Sequence, residues 1–367
     1  MTAANHLPSD WRPGYINFAT DDDFDSGTLP TFDMVEDEKS GDWLLTLPFP
    51  SGTFQYSFLV DCAPPVTLCD SIVDSDNPPI QSLPGEQASS IVQVPFSKAH
   101  QTDDYSWQLP LEDSEKRGRV EFFNYSSPGS TYPASNVHSV GVYLPNGYSK
   151  NRKYPIAYFH HGRDGNHADW FNQGRLHQIA DRLIASNIIP PLVIITPSFY
   201  NLGFTPEQFA TNATDHGCSA YDQRGIYAFD SAVRKNYFSY LMPWVESTLS
   251  VSTDPASRSF VGLSMGGGLA TEMLYNATKY FDSYGVFSQM PPTPPIPSSL
   301  AATFGSKKLL YGAGKYDFAL TNTLDAQMIF PQAGVKQILN YVPICGGHSW
   351  CVWQELAYVF LKDVLFS

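Results

Sequence analysis

Apolar and polar positions alternate in two rhythms along the chain, and the rhythm changes near residue 108. Before it, short runs have period two: Trp43-Leu-Leu-Thr-Leu47, Phe54-Gln-Tyr-Ser-Phe-Leu-Val60 and Ser90-Ile-Val-Gln-Val94. Clusters of Gly, Pro and Asp, such as PFPSG and DSDNPP, separate them. Strand side chains point alternately to opposite faces, so these runs predict a small antiparallel β-sandwich domain over residues 1–108. The polar stretch from His100 to Arg119 reads as the linker into a second domain, 109–367.

Beyond residue 119 strands alternate with helices. Val140–Leu144, Pro155–His160, Leu192–Thr196, Ser259–Gly262, Ser283–Ser288, Lys308–Tyr311 and Gln337–Val342 read as strands. Leu192-Val-Ile-Ile-Thr196 is almost wholly apolar, as expected of a strand buried on both faces. Leu176–Ser186, Phe238–Leu249, Gly268–Tyr275 and roughly Val352–Leu365 read as helices, the first with apolar residues at 176, 179, 180, 183 and 184. The alternation predicts an α/β fold, a mainly parallel sheet covered on both faces.

Onto this pattern falls Gly262-Leu-Ser264-Met-Gly266. A bare G-x-S-x-G arises often by chance; here a strand leads in and a small-residue helix leads out. That is the setting of a nucleophile elbow, in which a sharp turn lifts the Ser Oγ above the sheet. The flanking glycines are expected because strand and helix meet too closely for a side chain. Ser264 is the expected nucleophile, and the backbone N–H of Met265, at the positive helix end, an oxyanion donor.

The order of such a triad is Ser, Asp or Glu, then His. Downstream of Ser264 there is one histidine, His348, between the last predicted strand and the last helix. Asp317, in Gly312-Ala-Gly-Lys-Tyr-Asp317, follows the preceding strand and is the expected orienting acid; Asp282, Asp325 and Asp363 are worse placed. The Gly-containing turn His160-His-Gly-Arg-Asp-Gly165 makes the Arg163 N–H the expected second oxyanion donor. His160 and His161 are adjacent on a strand, hence on opposite faces, and chelate a metal poorly together. Structural roles are the ordinary reading of both.

Bulk properties narrow the partners. The 367 residues carry a net charge of −14, which repels phosphate backbones and argues against nucleic acid. No window approaches the length of apolar run that spans a membrane. The start, MTAANHLPSDW, lacks the basic and apolar regions of a signal peptide, so the expectation is a cytoplasmic chain, or a secreted one if Met1 is an addition. Five cysteines, an odd number, leave at least one outside any internal pair, and Cys62–Cys69 is one possible disulfide.

Four blocks carry a family resemblance. They are His160-His-Gly-Arg-Asp-Gly165 with Asp169-Trp170, Tyr240-Leu-Met-Pro-Trp-Val-Glu246, Arg258-Ser-Phe-Val-Gly-Leu-Ser-Met-Gly-Gly267 and Gly346-Gly-His-Ser-Trp-Cys-Val-Trp353. Residues 119–367 thus resemble the esterase D-like group of the α/β-hydrolase fold, with the feruloyl and acetyl xylan esterases of carbohydrate esterase family one. The first hundred residues resemble the early-set β-sandwich that often precedes such esterases, similar in fold to glycogen-binding modules. The resemblance implies Ser264, Asp317 and His348 as the triad, Met265 and Arg163 as oxyanion donors, and His161, Trp350 and Trp353 as substrate contacts. It implies no metal or organic cofactor. The implied activity is hydrolysis of feruloyl or acetyl esters of polysaccharide. Hydrolysis of a natural-product or siderophore ester, acyl transfer on the same scaffold and a silent binding protein are the alternatives. One departure is the long Phe199–Tyr237 segment, rich in Tyr, Asn, Phe and Asp, expected with Pro291–Pro297 to wall the substrate side.

Overall fold

The computed structural model describes residues 32–367, except 48, 64–68, 82–88, 129–135, 164, 199–229, 291, 336–337 and 344–345. Most of the Phe199–Tyr237 wall expected above lies outside the described residues.

Eight strands form the central sheet: β5 (Arg119–Ser126), β6 (Val137–Leu144), β7 (Ile156–His160), β8 (Val193–Pro197), β9 (Arg258–Leu263), β10 (Ser283–Phe287), β11 (Lys308–Gly312) and β12 (Ile338–Tyr341). Their spatial order is β12-β11-β10-β9-β7-β8-β6-β5. β6 runs antiparallel to both its neighbours, and every other pairing is parallel. This is the α/β-hydrolase fold that the β/α alternation and the four blocks predicted. The linker reading ends where β5 begins, and β5 itself went unpredicted; its half-buried, mixed pattern lacks a clean alternation.

Both sheet faces are covered, as parallel strands require. On β7, Ile156 and Tyr158 enter one core while Ala157 and Phe159 enter the other. The first core is closed by α3 (Asp230–Asn236), a π-helical turn (Tyr237–Leu241), α4 (Met242–Thr248), α5 (Met265–Asn276), α6 (Ser298–Phe304) and α7 (Leu320–Gln332). The second is closed by α1 (Asp169–Asn172), α2 (Leu176–Ala185) and α8 (Trp350–Val359). In α2 the residues at 176, 179, 180 and 183 are all buried, as their spacing predicted. No helix among the described residues is long and apolar enough to cross a membrane.

Before the sheet lie two antiparallel pairs: β1 (Val35–Glu36) with β2 (Trp43–Leu44), and β3 (Gly52–Tyr56) with β4 (Ser90–Val94). The second pair leans on the catalytic half. Phe54 joins the second core, and Trp107 stacks on Tyr358 with centroids 4.5 Å apart. Gln93 Nε2 donates to Gln178 Oε1 at 2.7 Å, Gln55 Nε2 donates to Gln173 Oε1, and Asn172 exchanges hydrogen bonds with the backbone of Gln81 at 2.6 and 3.1 Å. Cys62 and Cys69 form a disulfide, and Cys351 is in another, whose partner lies outside the described residues.

Candidate active site

Ser264 stands at the end of β9, in the crevice outside the carboxyl ends of the parallel strands where α/β folds bind ligands. Its φ of 53° and ψ of −117° belong to a region that non-glycine residues avoid, so the surrounding structure must hold it there. The turn is tight enough that a Cβ on Gly262 would lie 1.9 Å from Gly266 O. Hydrogen bonds fix the rest of the turn: Ser264 N–H donates to Phe287 O at 2.8 Å, and Ser264 O accepts from Gly267 and Met290. The strain is therefore maintained by β10 and α5 together. α5 starts at Met265, directing its positive end toward the serine.

The loop after β7 passes on the other side. A Cβ at Gly162 would sit 3.1 Å from Ser264 Cβ, so this backbone runs directly past Ser264, and the turn at Arg163 follows. Buried Asp169 gathers the loop: its carboxylate accepts from Asn166 N–H at 2.9 Å and from Asn166 Nδ2 at 2.8 Å. The two histidines of the block are buried and neutral. Burial and the neighbouring His161 push His160 well below its ordinary value, and its Nε2 meets Tyr237 Oη at 2.8 Å. Burial pushes His161 down to about 3, and its Nδ1 bonds Gly162 O at 2.7 Å.

Asp317 and His348, the expected acid and base, follow β11 and β12. Asp317 follows β11 and is buried; its Oδ1 meets His348 Nδ1 at 3.0 Å and accepts from Ala319 N–H at 2.8 Å. The two loops meet only because Gly314 has no side chain: a Cβ there would lie 2.3 Å from Gly346 O. Burial pushes the Asp317 carboxyl upward, but the hydrogen bond and charge of His348, then Ser288 and the Ala319 N–H, outweigh it and hold the group below its ordinary value. It is an anion at neutral pH. It can thereby hold His348 Nδ1 protonated, leaving Nε2 as the basic nitrogen.

Rings fix the imidazole plane. Trp353 stands perpendicular to His348 at 5.1 Å, and Phe318 stacks on it at 4.3 Å. Trp353, in turn, is perpendicular to Trp350 at 5.1 Å, and Trp350 to Trp170 at 5.3 Å. Of the expected substrate contacts, His161 and Trp353 are buried and Trp350 is half-buried. Trp353 donates its Nε1–H to Ser288 Oγ at 2.9 Å, beside Asp317.

Sequence reasoning missed Ser288, Asp169 with Asn166, and Phe318. Ser288 carries no motif; its role comes from a positive φ of 47° at the end of β10, which turns its hydroxyl toward Trp353. Asp169 stood in a quoted block, and its spacing from Asn166 resembles a helix-start signal. Phe318 was legible only as a large apolar residue next to Asp317.

Residues 135–309 match the family model Esterase. A stretch of 154 residues is 30% identical to endo-1,4-beta-xylanase Y of Acetivibrio thermocellus, covering 41% of this chain and 13% of that protein. Another of 165 residues is 26% identical to an endo-1,4-beta-xylanase/feruloyl esterase of Xylanibacter ruminicola, covering 41% of this chain and 19% of that protein. The chain thus spans less than a fifth of the curated relatives it matches. A ferulic acid esterase of the anaerobic fungus Anaeromyces mucronatus superposes with a TM-score of 0.58 at 17% identity, over 72% of this chain and 96% of its own; at that identity the likeness speaks for the fold. The elbow, the sheet order and the matched segment agree: the chain has an α/β-hydrolase fold, and its residues 135–309 are similar to the esterase family.

Proposed function

We propose that the chain hydrolyses carboxylic esters of plant polysaccharide, feruloyl or acetyl, through an acyl-enzyme on Ser264. The observation that carries the reading is the strained Ser264 elbow together with a hydrogen-bonded, partly buried Asp317–His348 pair, both on loops that leave the carboxyl ends of the parallel strands. His348 Nε2 takes the Ser264 proton as Oγ attacks the carbonyl carbon. The backbone N–H groups of Met265 and Arg163 receive the oxyanion, and the imidazolium returns its proton to the leaving alcohol oxygen. Water, deprotonated by the same His348, then attacks the acyl-enzyme and releases the acid and free Ser264. The relatives whose names include xylanase and feruloyl esterase support the substrate class. Residues 1–108 are proposed as an accessory module docked on the catalytic region, 109–367.

The test is a panel of methyl ferulate, acetylated xylan, a siderophore trilactone and p-nitrophenyl acetate, with wild type and Ser264→Ala. Wild type is expected to cleave a polysaccharide-type ester fastest. Ser264→Ala is expected to lose about a thousandfold or more on every ester cleaved. Activity surviving in Ser264→Ala would refute the nucleophile, and a preference for the trilactone would refute the substrate class.

A further inference from the structure

Phe318 is 61% exposed although it directly follows buried Asp317. One ring face stacks on the His348 imidazole, centroids 4.3 Å apart and planes 30° apart. The other ring against His348, Trp353, is buried and tied to Ser288. One ring is thus enclosed by protein while the other presents its outer face to solvent. The backbone fixes Phe318 there: Asp317 N–H donates to Gly314 O at 3.1 Å, Leu320 N–H to Asp317 O at 2.9 Å, and Ala319 N–H to the Asp317 carboxylate. An apolar ring left this exposed contributes little by burial, so core stability does not account for a phenylalanine here.

The direction of the chemistry says what would meet that ring. His348 returns the proton to the leaving oxygen, so the alcohol part of the ester lies on the His348 side and the acyl part toward the oxyanion donors. In a polysaccharide ester the alcohol part is a sugar. One sugar face is lined with C–H bonds, whose partial positive charge suits the negative face of an aromatic ring. We infer that Phe318 is a stacking platform for the sugar ring that bears the ester, and so determines leaving-group specificity. The inference rests on the polysaccharide-ester reading above.

The experiment compares methyl ferulate with a feruloylated arabino-oligosaccharide, which share an acyl group and differ only in the alcohol. It reads the ratio of their kcat/KM values in wild type, Phe318→Ala, Phe318→Tyr and Met328→Ala. Phe318→Ala is expected to slow both esters but to lower the sugar-to-methyl ratio by about three- to tenfold, mainly through KM of the sugar ester. Phe318→Tyr keeps the ring and should hold the ratio within about twofold. Met328, exposed farther along α7, serves as the control and should leave the ratio unchanged. Equal losses of Phe318→Ala on both esters would overturn the platform and leave the ring as a shield for His348. A wild type that cleaved neither these esters nor the corresponding acetyl pair would instead overturn the polysaccharide-ester reading itself.

Discussion

Replacing Asp169 by Ala removes the acceptor around which the loop after β7 is gathered. Asp169 is 7% exposed, and its carboxylate accepts from Asn166 N–H at 2.9 Å and from Asn166 Nδ2 at 2.8 Å. Hydrogen bonds to a charged group contribute about 1.5–3 kcal/mol each, so Asp169→Ala should cost about 3–5 kcal/mol. Asp169→Asn keeps the shape and one acceptor and should cost about 1–2 kcal/mol. For a chain of this size the Ala variant should melt about 4–7 °C lower. Arg163, whose N–H is the proposed second oxyanion donor, lies three residues before Asn166 on the same loop, and loss of one such donor costs roughly 10²–10³ in kcat. A loosened loop should therefore lower kcat by at least about tenfold, with a smaller effect on KM. Thermal melts and steady-state kinetics on p-nitrophenyl acetate, below the melting transition, check both numbers. A variant that melts much lower yet keeps its kcat would refute the claim that Asp169 positions the oxyanion loop. An unchanged melting temperature would refute the hydrogen-bond magnitudes.

Gly262→Ala would place a Cβ 1.9 Å from the backbone oxygen of Gly266, and backbone cannot swing aside. The cost should reach or exceed about 3 kcal/mol and appear as insoluble protein or a lowered melting temperature; a well-folded, active variant would contradict the elbow geometry. Asp317→Asn should lower kcat by about 10³–10⁴ through the wrong His348 tautomer, with KM nearly unchanged in initial-rate assays. The Asp317 pKa lies below its ordinary 3.8, so the stability its ionised form provides is complete above that value and lost as pH falls through the lower one. Urea melts should accordingly show a constant stability gap between wild type and Asp317→Asn above about pH 5 that closes below about pH 4; closure at higher pH would refute the lowered pKa.

Much of this site was legible before any fold was known, because its parts are local. The β9–elbow–α5 unit is one continuous stretch, and its glycines answer to contacts within that stretch, Gly262 against Gly266. His348 was found by elimination, since no other histidine follows Ser264. α2 was recognisable from its one-sided apolar spacing. α7 was harder to bound: its exposed Leu324 and Met328 break the one-sided pattern that marks a buried helix face. The strands before residue 108 were found as runs but are shorter than the runs: Phe54–Val60 yields a strand that ends at Tyr56.

The sequence by itself determined the alternating α/β frame and the tight turn at Ser264, and it singled out His348 as the candidate base, since each depends on residues close along the chain or on sheer scarcity. Only the tertiary structure decided the contacts between distant residues. Asp317 meets His348 across 31 positions, Ser288 meets Trp353 across 65, and Gln55 meets Gln173 across 118. No local pattern names such a partner, because the pairing is set by how neighbouring strand ends and the loops that leave them come together. The buried state of Trp353 and the exposed face of Phe318 were decided the same way: both are large aromatic rings beside His348, and only packing distinguishes the one enclosed by the core from the one facing solvent.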